Sequence, residues 1–312
     1  MKNAGKPKTN RLRRLYENGK LQSFGFQISV YAIPLTLFAI FWVGVNFNSI
    51  LMAFQKISFD GTRTFVGFEN FGAFFAELRG EMSDTLLRTS ILNSFKMFAI
   101  NLIVCMPLYL LFSFYLFRKF FGSRAILIIV MIPSIVSEFI ISLIFKRFVN
   151  VVLPNLFGGL PALLEDPKYT FGTMLFFMIW ISFSTSLIVY PNAMRAISAE
   201  IFESAQIDGA GYWKEFWYIT FPLIFPTIST FLIMGVSAIF LNAGPAVAFF
   251  QYNAYPECYT MGYYYIAKVM NATNEMGYPM LAAGGIVLTL VSCPMTFGVK
   301  YGLEKITPER DL

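Results

Sequence analysis

Long apolar runs alternate with short polar, glycine- or proline-bearing stretches along this chain. Six runs stand out: Ile28 to Phe54, Thr89 to Phe117, Arg124 to Lys146, Gly172 to Ala196, Pro222 to Phe250 and Leu281 to Tyr301. A bilayer's hydrocarbon core is about 30 Å thick, an α-helix rises about 1.5 Å per residue, and only a helix satisfies its own backbone there within a single run. The pattern predicts an all-α membrane protein with six transmembrane helices. A basic segment 1–27 precedes them, the membrane domain takes 28–301 with a polar connector at 197–222, and 302–312 forms a tail.

The connections carry their own patterns. In "FQKISFDGTRTFVGFENFGAFFAELRGEMSDT", Phe71, Phe74, Phe75 and Leu78 are spaced to share a helical face, which predicts an amphipathic helix lying at the membrane interface. "RKFFGSR", Arg118 to Arg124, is a short turn on the inner side. "VNVVLPNLFGGLPALLEDPKYT" reads as a structured outer loop, and the tyrosines of "QYNAYPECYTMGYYYIAKVMNATNEMGYP" as anchors at the wet edge of the membrane.

Charge fixes the orientation. With a cytoplasmic N-terminus, most of the 24 Lys and Arg residues fall in the inner segments, as the positive-inside rule demands. The net charge of +6 therefore reports topology and gives no reason to invoke nucleic acid. The first apolar run is too long for a signal-peptide core and no small-residue cleavage site follows it, so the first helix is expected to stay. With no histidine, and with three cysteines in no metal or redox spacing, the chain offers neither a catalytic set nor a metal site. An enzyme is not expected.

Counting inward from the outer end of each helix places Lys96, Glu138, Trp180, Asn242 and Thr289 at one depth, roughly 12 Å below the outer surface. A charge in mid-membrane costs about 2.5–3.5 kcal/mol on insertion scales, so Lys96 and Glu138 must face protein or water. They either pair with each other between neighbouring helices or, for Glu138, meet a substrate. Glu138, Trp180, Asn242 and Thr289 are the candidates for a substrate path, since they set hydrogen-bonding groups beside an indole.

The stretch "IFESAQIDGAGYWKEFWYITFPLIFP" interrupts the apolar pattern. As a helix it brings Ile197, Ile201, Ser204, Ala205 and Asp208 to one face, flanked by Glu200 and Glu203. Gly209 and Gly211 mark a bend, "YWKEFWYIT" restarts helical patterning, and Pro222 and Pro226 mark the opening of the fifth membrane helix. Asp208 lies at a helix C-terminus, where a carboxylate opposes the dipole by about 0.3–1 kcal/mol. It either N-caps the second short helix or meets a cation on a partner protein.

Glu203-Ser204-Ala205-Gln206-Ile207-Asp208-Gly209-Ala210 followed by Ile219-Thr220-Phe221-Pro222 resembles the EAA loop of binding-protein-dependent ABC importer permeases. "FVGFENFGAFF", "LNSF", "IPSIVSEFIISLIFKRF", "GTMLFFMIW" and "GYPMLAAGGIVL" extend the likeness to the maltose-type sugar permeases over most of the chain. The resemblance implies a type I importer permease, the first of a heterodimeric pair, in a bacterial cell membrane with both termini cytoplasmic. It also implies Glu203, Ser204, Ala205, Asp208 and Gly209 as the coupling positions that meet an ATPase. Its partners would be a second homologous permease, two cytoplasmic ATPase subunits and an extracytoplasmic substrate-binding protein. The chain holds no G-x-x-x-x-G-K-[ST] loop, so ATP and Mg belong to the partner ATPases and no cofactor is expected here. Ser204 stands where the family has alanine, Phe221 where it has leucine, Ser198 where it commonly has proline, and "LNAGP" replaces a longer glycine-rich tract. The expected cargo is a sugar, oligosaccharide or polyol. The alternatives are a non-sugar solute such as glycerol phosphate, or an unrelated secondary transporter, which would need an ion-coupling cluster.

Overall fold

The structure, a computed structural model, describes residues 20–81 and 85–306. Positions 1–19 of the basic leading segment and 307–312 of the tail lie outside the described residues. Among the described residues, six helices are long and apolar enough to cross a membrane: Ser23–Met52, Leu86–Phe117, Glu138–Phe157, Pro167–Arg195, Tyr212–Ser237 and Glu275–Ile306. They are called the first to sixth spans here, and their inner end is the one carrying residues 118–124.

Two expected helices are not continuous. The run Arg124 to Lys146 is split into Ser123–Ile135 and Glu138–Arg147 by Val136 and Ser137, whose backbones are extended (ψ 143 and 133). Pro133 lacks the N–H that would bond back along the helix, and β-branched Ile135 and Val136 follow it, so the break falls where helix bonding is already weakened. The third span then runs on to Phe157, through residues expected as loop. The fifth span begins at Tyr212, ten residues before the expected Pro222, and stops at Ser237. The chain then turns at 238–241, Gly244 stands at φ +59 before Pro245, and the short helix Ala246–Phe250 follows.

Prolines also leave their mark inside spans. Wider π-helical turns at Asn101–Cys105, Phe148–Val152 and Glu215–Thr220 each end two positions before a proline, Pro107, Pro154 and Pro222. A proline ring clashes with the carbonyl four residues back, and in each case that carbonyl lies in the π turn, where the extra width gives it room.

The outer connections pack instead of floating. A two-stranded antiparallel hairpin, Gln55–Ile57 with Arg63–Phe65, is an addition to the all-α expectation. The helix Glu69–Arg79 forms as its phenylalanines predict, but Phe74 is buried against the sixth span and does not rest on lipid: a Cβ on Gly284 would lie 2.5 Å from its ring. Asn70 holds this segment to the end of the first span, its amide donating to the carbonyls of Ala53 and Gln55 at 2.9 and 2.8 Å. The tyrosines are not all edge anchors either. Tyr263 and Tyr264, in the helix Met261–Met270, are fully buried, and Tyr264 donates to the buried Glu77 carboxylate at 2.8 Å. Phenol rings contribute large apolar area, and these two hydroxyls find partners, so the core accepts them.

"LNSF" gains a role here. Asn93 donates to the carbonyls of Glu257 and Tyr259 at 2.7 and 3.0 Å, and Ser94 accepts from the Met261 amide at 2.8 Å. Both side chains are buried, so they satisfy backbone groups that an apolar helix would leave unpaired. Buried apolar residues form two clusters, an outer one around Phe145, Phe177 and Phe249 and an inner one around Phe114, Tyr190, Phe216 and Ile224. The cysteines are free; outside the spans, burial and then the charge of Glu257 push the Cys258 thiol up to about 12.

Candidate functional site

Two features stand out, a hairpin at the inner end and a cavity among the spans. The hairpin's first arm is the helix Ala199–Ile207. It ends on Asp208, with Gly209 at φ +74; the Ala210 amide reaches the Ala205 carbonyl at 2.9 Å and the Gly209 amide reaches Gln206 at 3.0 Å. This paired closure satisfies two otherwise orphaned carbonyls and requires a left-handed residue, which explains the glycine after the aspartate. The second arm is the start of the fifth span, not a separate short helix.

The buried face of the first arm is Phe202 and Ala205, whereas Ile201 and Ser204, expected beside Ala205, are exposed. Phe202 supplies the larger apolar area and so sets the rotation of the helix. Glu203, Ser204, Ile207, Asp208 and Gly209 face outward. Asp208 does not cap the next helix: Gly211 occupies that position in extended conformation, and no hydrogen bond or ion pair reaches the Asp208 carboxylate among the described residues.

What seats the hairpin is Arg118, at the inner end of the second span. Its guanidinium pairs with Glu215, which is 1% exposed, and lies over the rings of Phe202 and Tyr212 at 5.3 and 5.4 Å. Phe117 meets Phe202 at 5.3 Å, Phe120 meets Tyr212 at 4.9 Å and Phe114 meets Phe216 at 5.2 Å. One cation thus touches both arms of the hairpin and the span above. The sequence offered a signal: an arginine in a short turn and a glutamate inside an otherwise aromatic helical stretch, two charges in need of partners.

The cavity measures about 680 Å³ and is walled by the second, fourth and fifth spans, Glu138 and the turn after the fifth span. Glu138 opens the helix Glu138–Arg147 at the break, where the helix dipole favours a carboxylate. Asn242 lines the cavity from the turn, not from a helix, and accepts from the Gly244 amide at 2.8 Å. Of the five residues expected at one depth, Glu138 and Asn242 meet here. Trp180 packs instead on Phe145 and Phe177, 6.1 and 6.0 Å between rings. Thr289 is exposed and donates to its own helix at Gly285, 2.8 Å away. Lys96 is outside the cavity, and no ion pair joins it to Glu138 among the described residues. Shared depth does not fix the direction a side chain takes around its helix.

The walls also carry Asn101 and Tyr109 from the second span and Ser182, Ser186 and Tyr190 from the fourth. Asn101 and Tyr109 are eight residues apart, as are Ser182 and Tyr190 with Ser186 between, so each set forms a polar stripe along one helix face. That spacing was present in the sequence.

An inner-membrane transport subunit is the class that these six spans, the inner hairpin and the central cavity define. Residues 71–302 match the family described as binding-protein-dependent transport system inner membrane component, and the chain belongs to that family. It is a multi-pass inner-membrane permease and not an enzyme. Among its relatives, Protein LplB of Bacillus subtilis (strain 168) is 25% identical over 289 residues, covering 89% of this chain and 88% of LplB. The arabinooligosaccharides transport system permease protein AraP of the same organism is 27% identical over 275 residues, covering 84% and 83%. The maltose/maltodextrin transport system permease protein MalF of Yersinia pestis is 29% identical over 128 residues, so the match spans 39% of this chain and only 24% of MalF. A chain of a bacterial ABC transporter involved in the import of the acidic polysaccharide alginate shares the fold, with a TM-score of 0.74 and 19% identity over 94% of this chain and 99% of that one.

Proposed function

We propose that this chain is one permease of a pair that carries a neutral carbohydrate across the membrane. A substrate-binding protein delivers the cargo outside, and two ATPase subunits, which bind the ATP and Mg, act on the inner hairpin. The observation that carries the carbohydrate reading is the cavity wall: hydroxyls, amides and one carboxylate line it, with neither lysine nor arginine among the described residues. Such groups match sugar hydroxyls, and the aromatic and apolar remainder gives the weak grip a transporter needs. A phosphate-bearing solute would meet Glu138 with no cation to offset it. Relatives that transport arabinooligosaccharides and maltodextrins support the same class. In the test, the complete complex with its binding protein is offered labelled neutral oligosaccharides and glycerol phosphate. Uptake of glycerol phosphate alone would overturn the reading.

Asn242→Ala is expected to lower uptake at least severalfold without loss of complex assembly, measured by co-purification; wild-type uptake would remove Asn242 from the path. For the hairpin, the exposed carboxylates Glu203 and Asp208 are the groups available to cations of an ATPase surface. Glu203→Ala or Asp208→Ala is expected to leave membrane insertion intact while uptake falls and ATP hydrolysis no longer responds to loaded binding protein. A normal response in both variants would place the contact elsewhere.

A further inference from the structure

A second cavity, of about 850 Å³, opens at the inner end between the turn after the second span, the helix Ser123–Ile135 and the fourth span. Lys119, Arg124 and Arg195 line it, and no aspartate or glutamate among the described residues does. None of the three has an ion pair among the described residues; Arg195 reaches only the Asn192 amide oxygen, at 3.0 Å. Arg118, one residue before Lys119, turns the opposite way and is neutralised by Glu215. The turn therefore spends one charge inside the protein and presents the others to a shared hollow. Lys119 holds a left-handed backbone, φ 52, which a side chain rarely adopts and which turns the chain at the rim of the hollow.

Apart from Ser123 and Asn192, the rest of the wall is apolar and includes Leu127, Met131 and Ile188, which lie along the helices toward the membrane interior. Helices of 29 and 32 residues, as in the fourth and second spans, are about as long as a bilayer with its headgroups is thick, so their inner ends reach the headgroup layer. A cationic rim at headgroup level above apolar walls matches one kind of molecule. We propose that this cavity binds an anionic phospholipid of the inner leaflet, its phosphate held by Lys119, Arg124 and Arg195 and its acyl chains lying along Leu127, Met131 and Ile188. Positive-inside topology alone explains basic residues on this side; it does not explain three cations converging on one hollow while a fourth is paired internally. The proposal rests on the inner placement of residues 118–124 and is independent of the cargo.

The test is binding of phosphatidylglycerol, phosphatidylcholine and inorganic phosphate to the purified complete complex, followed by native mass spectrometry and by thermal shift. Wild type is expected to retain phosphatidylglycerol over phosphatidylcholine. The triple variant Lys119→Gln, Arg124→Gln, Arg195→Gln is expected to bind it about a hundredfold more weakly, at roughly one tenfold step or less per lost cation. Lys300→Gln with Lys305→Gln, which removes inner charge away from the cavity, is expected to bind as wild type. Ala125→Trp fills the cavity with all charges kept and is also expected to lose the lipid. Equal loss in the Lys300 and Lys305 variant would reduce the effect to general surface charge and overturn the site. So would unchanged binding by Ala125→Trp, or full competition by inorganic phosphate, which would make it a free-anion site.

Discussion

Arg118→Ala is expected to abolish coupled transport. The substitution leaves Glu215 buried without its cation, and breaking a buried pair in this way costs about 3–5 kcal/mol. The same change removes the guanidinium from the faces of Phe202 and Tyr212, so both arms of the hairpin lose their common contact with the second span. That span also carries Asn101 and Tyr109 on the cavity wall, so the loosened seat joins the hairpin to a helix that walls the cavity. Uptake should fall to background, while the complex, where it still assembles, hydrolyses ATP without responding to loaded binding protein. Assembly itself is separated from coupling by Arg118→Leu with Glu215→Leu. Replacing both charges by apolar groups removes the desolvation penalty and should restore the melting temperature toward wild type. If uptake in Arg118→Ala matches wild type, the pair is packing only and transmits nothing.

A second large effect is expected at Gly262, where the reason is steric. A Cβ there would sit 2.4 Å from the Leu241 carbonyl oxygen, 2.7 Å from the Asn242 carbonyl carbon and 2.8 Å from the Ala243 nitrogen. All three are backbone atoms, so no side-chain rotation can relieve the clash. The turn has to move off the helix Met261–Met270, and Asn242 moves with it. Overpacking of this kind costs typically about 1–3 kcal/mol, and here the displaced turn is also cavity wall. Gly262→Ala should therefore lower uptake more than Asn242→Ala does, together with a lower melting temperature of the complex. Gly235, whose added Cβ would meet only the Phe98 side chain at 3.4 Å, should accept alanine with a smaller loss. Equal behaviour of the two glycine variants would contradict the close approach.

The membrane class and the number of spans were legible because a lipid-crossing helix must be long and apolar. The hairpin was legible because its glycine, aspartate and aromatics contradict that requirement so sharply. What hydropathy could not register is anything that leaves apolarity unchanged. Val136 and Ser137 break the third apolar run just before the span Glu138–Phe157, and the turn at Asn242 interrupts the fifth run while Leu241 and Ala243 keep it apolar. The cavity set inherited that blindness. Depth alone grouped Glu138 and Asn242 with Trp180, Thr289 and Lys96, although three of these point elsewhere. The polar stripes Asn101–Tyr109 and Ser182–Ser186–Tyr190 were readable, since spacing by four carries direction as well as depth.

Pro222 fixes more than a local bulge. Without an N–H at that position, the π turn at Glu215–Thr220 cannot relax into regular helix without driving the Tyr218 carbonyl against the ring. Each surplus residue in such a turn advances the helix by about 100° of rotation. Trp213 and Trp217 on the inner side and Ile224 and Ile228 above are thereby held at a set phase, like two cams keyed to one shaft. A deletion of one residue between Glu215 and Thr220 would shorten the fifth span by little, yet swing one cam out of step with the other.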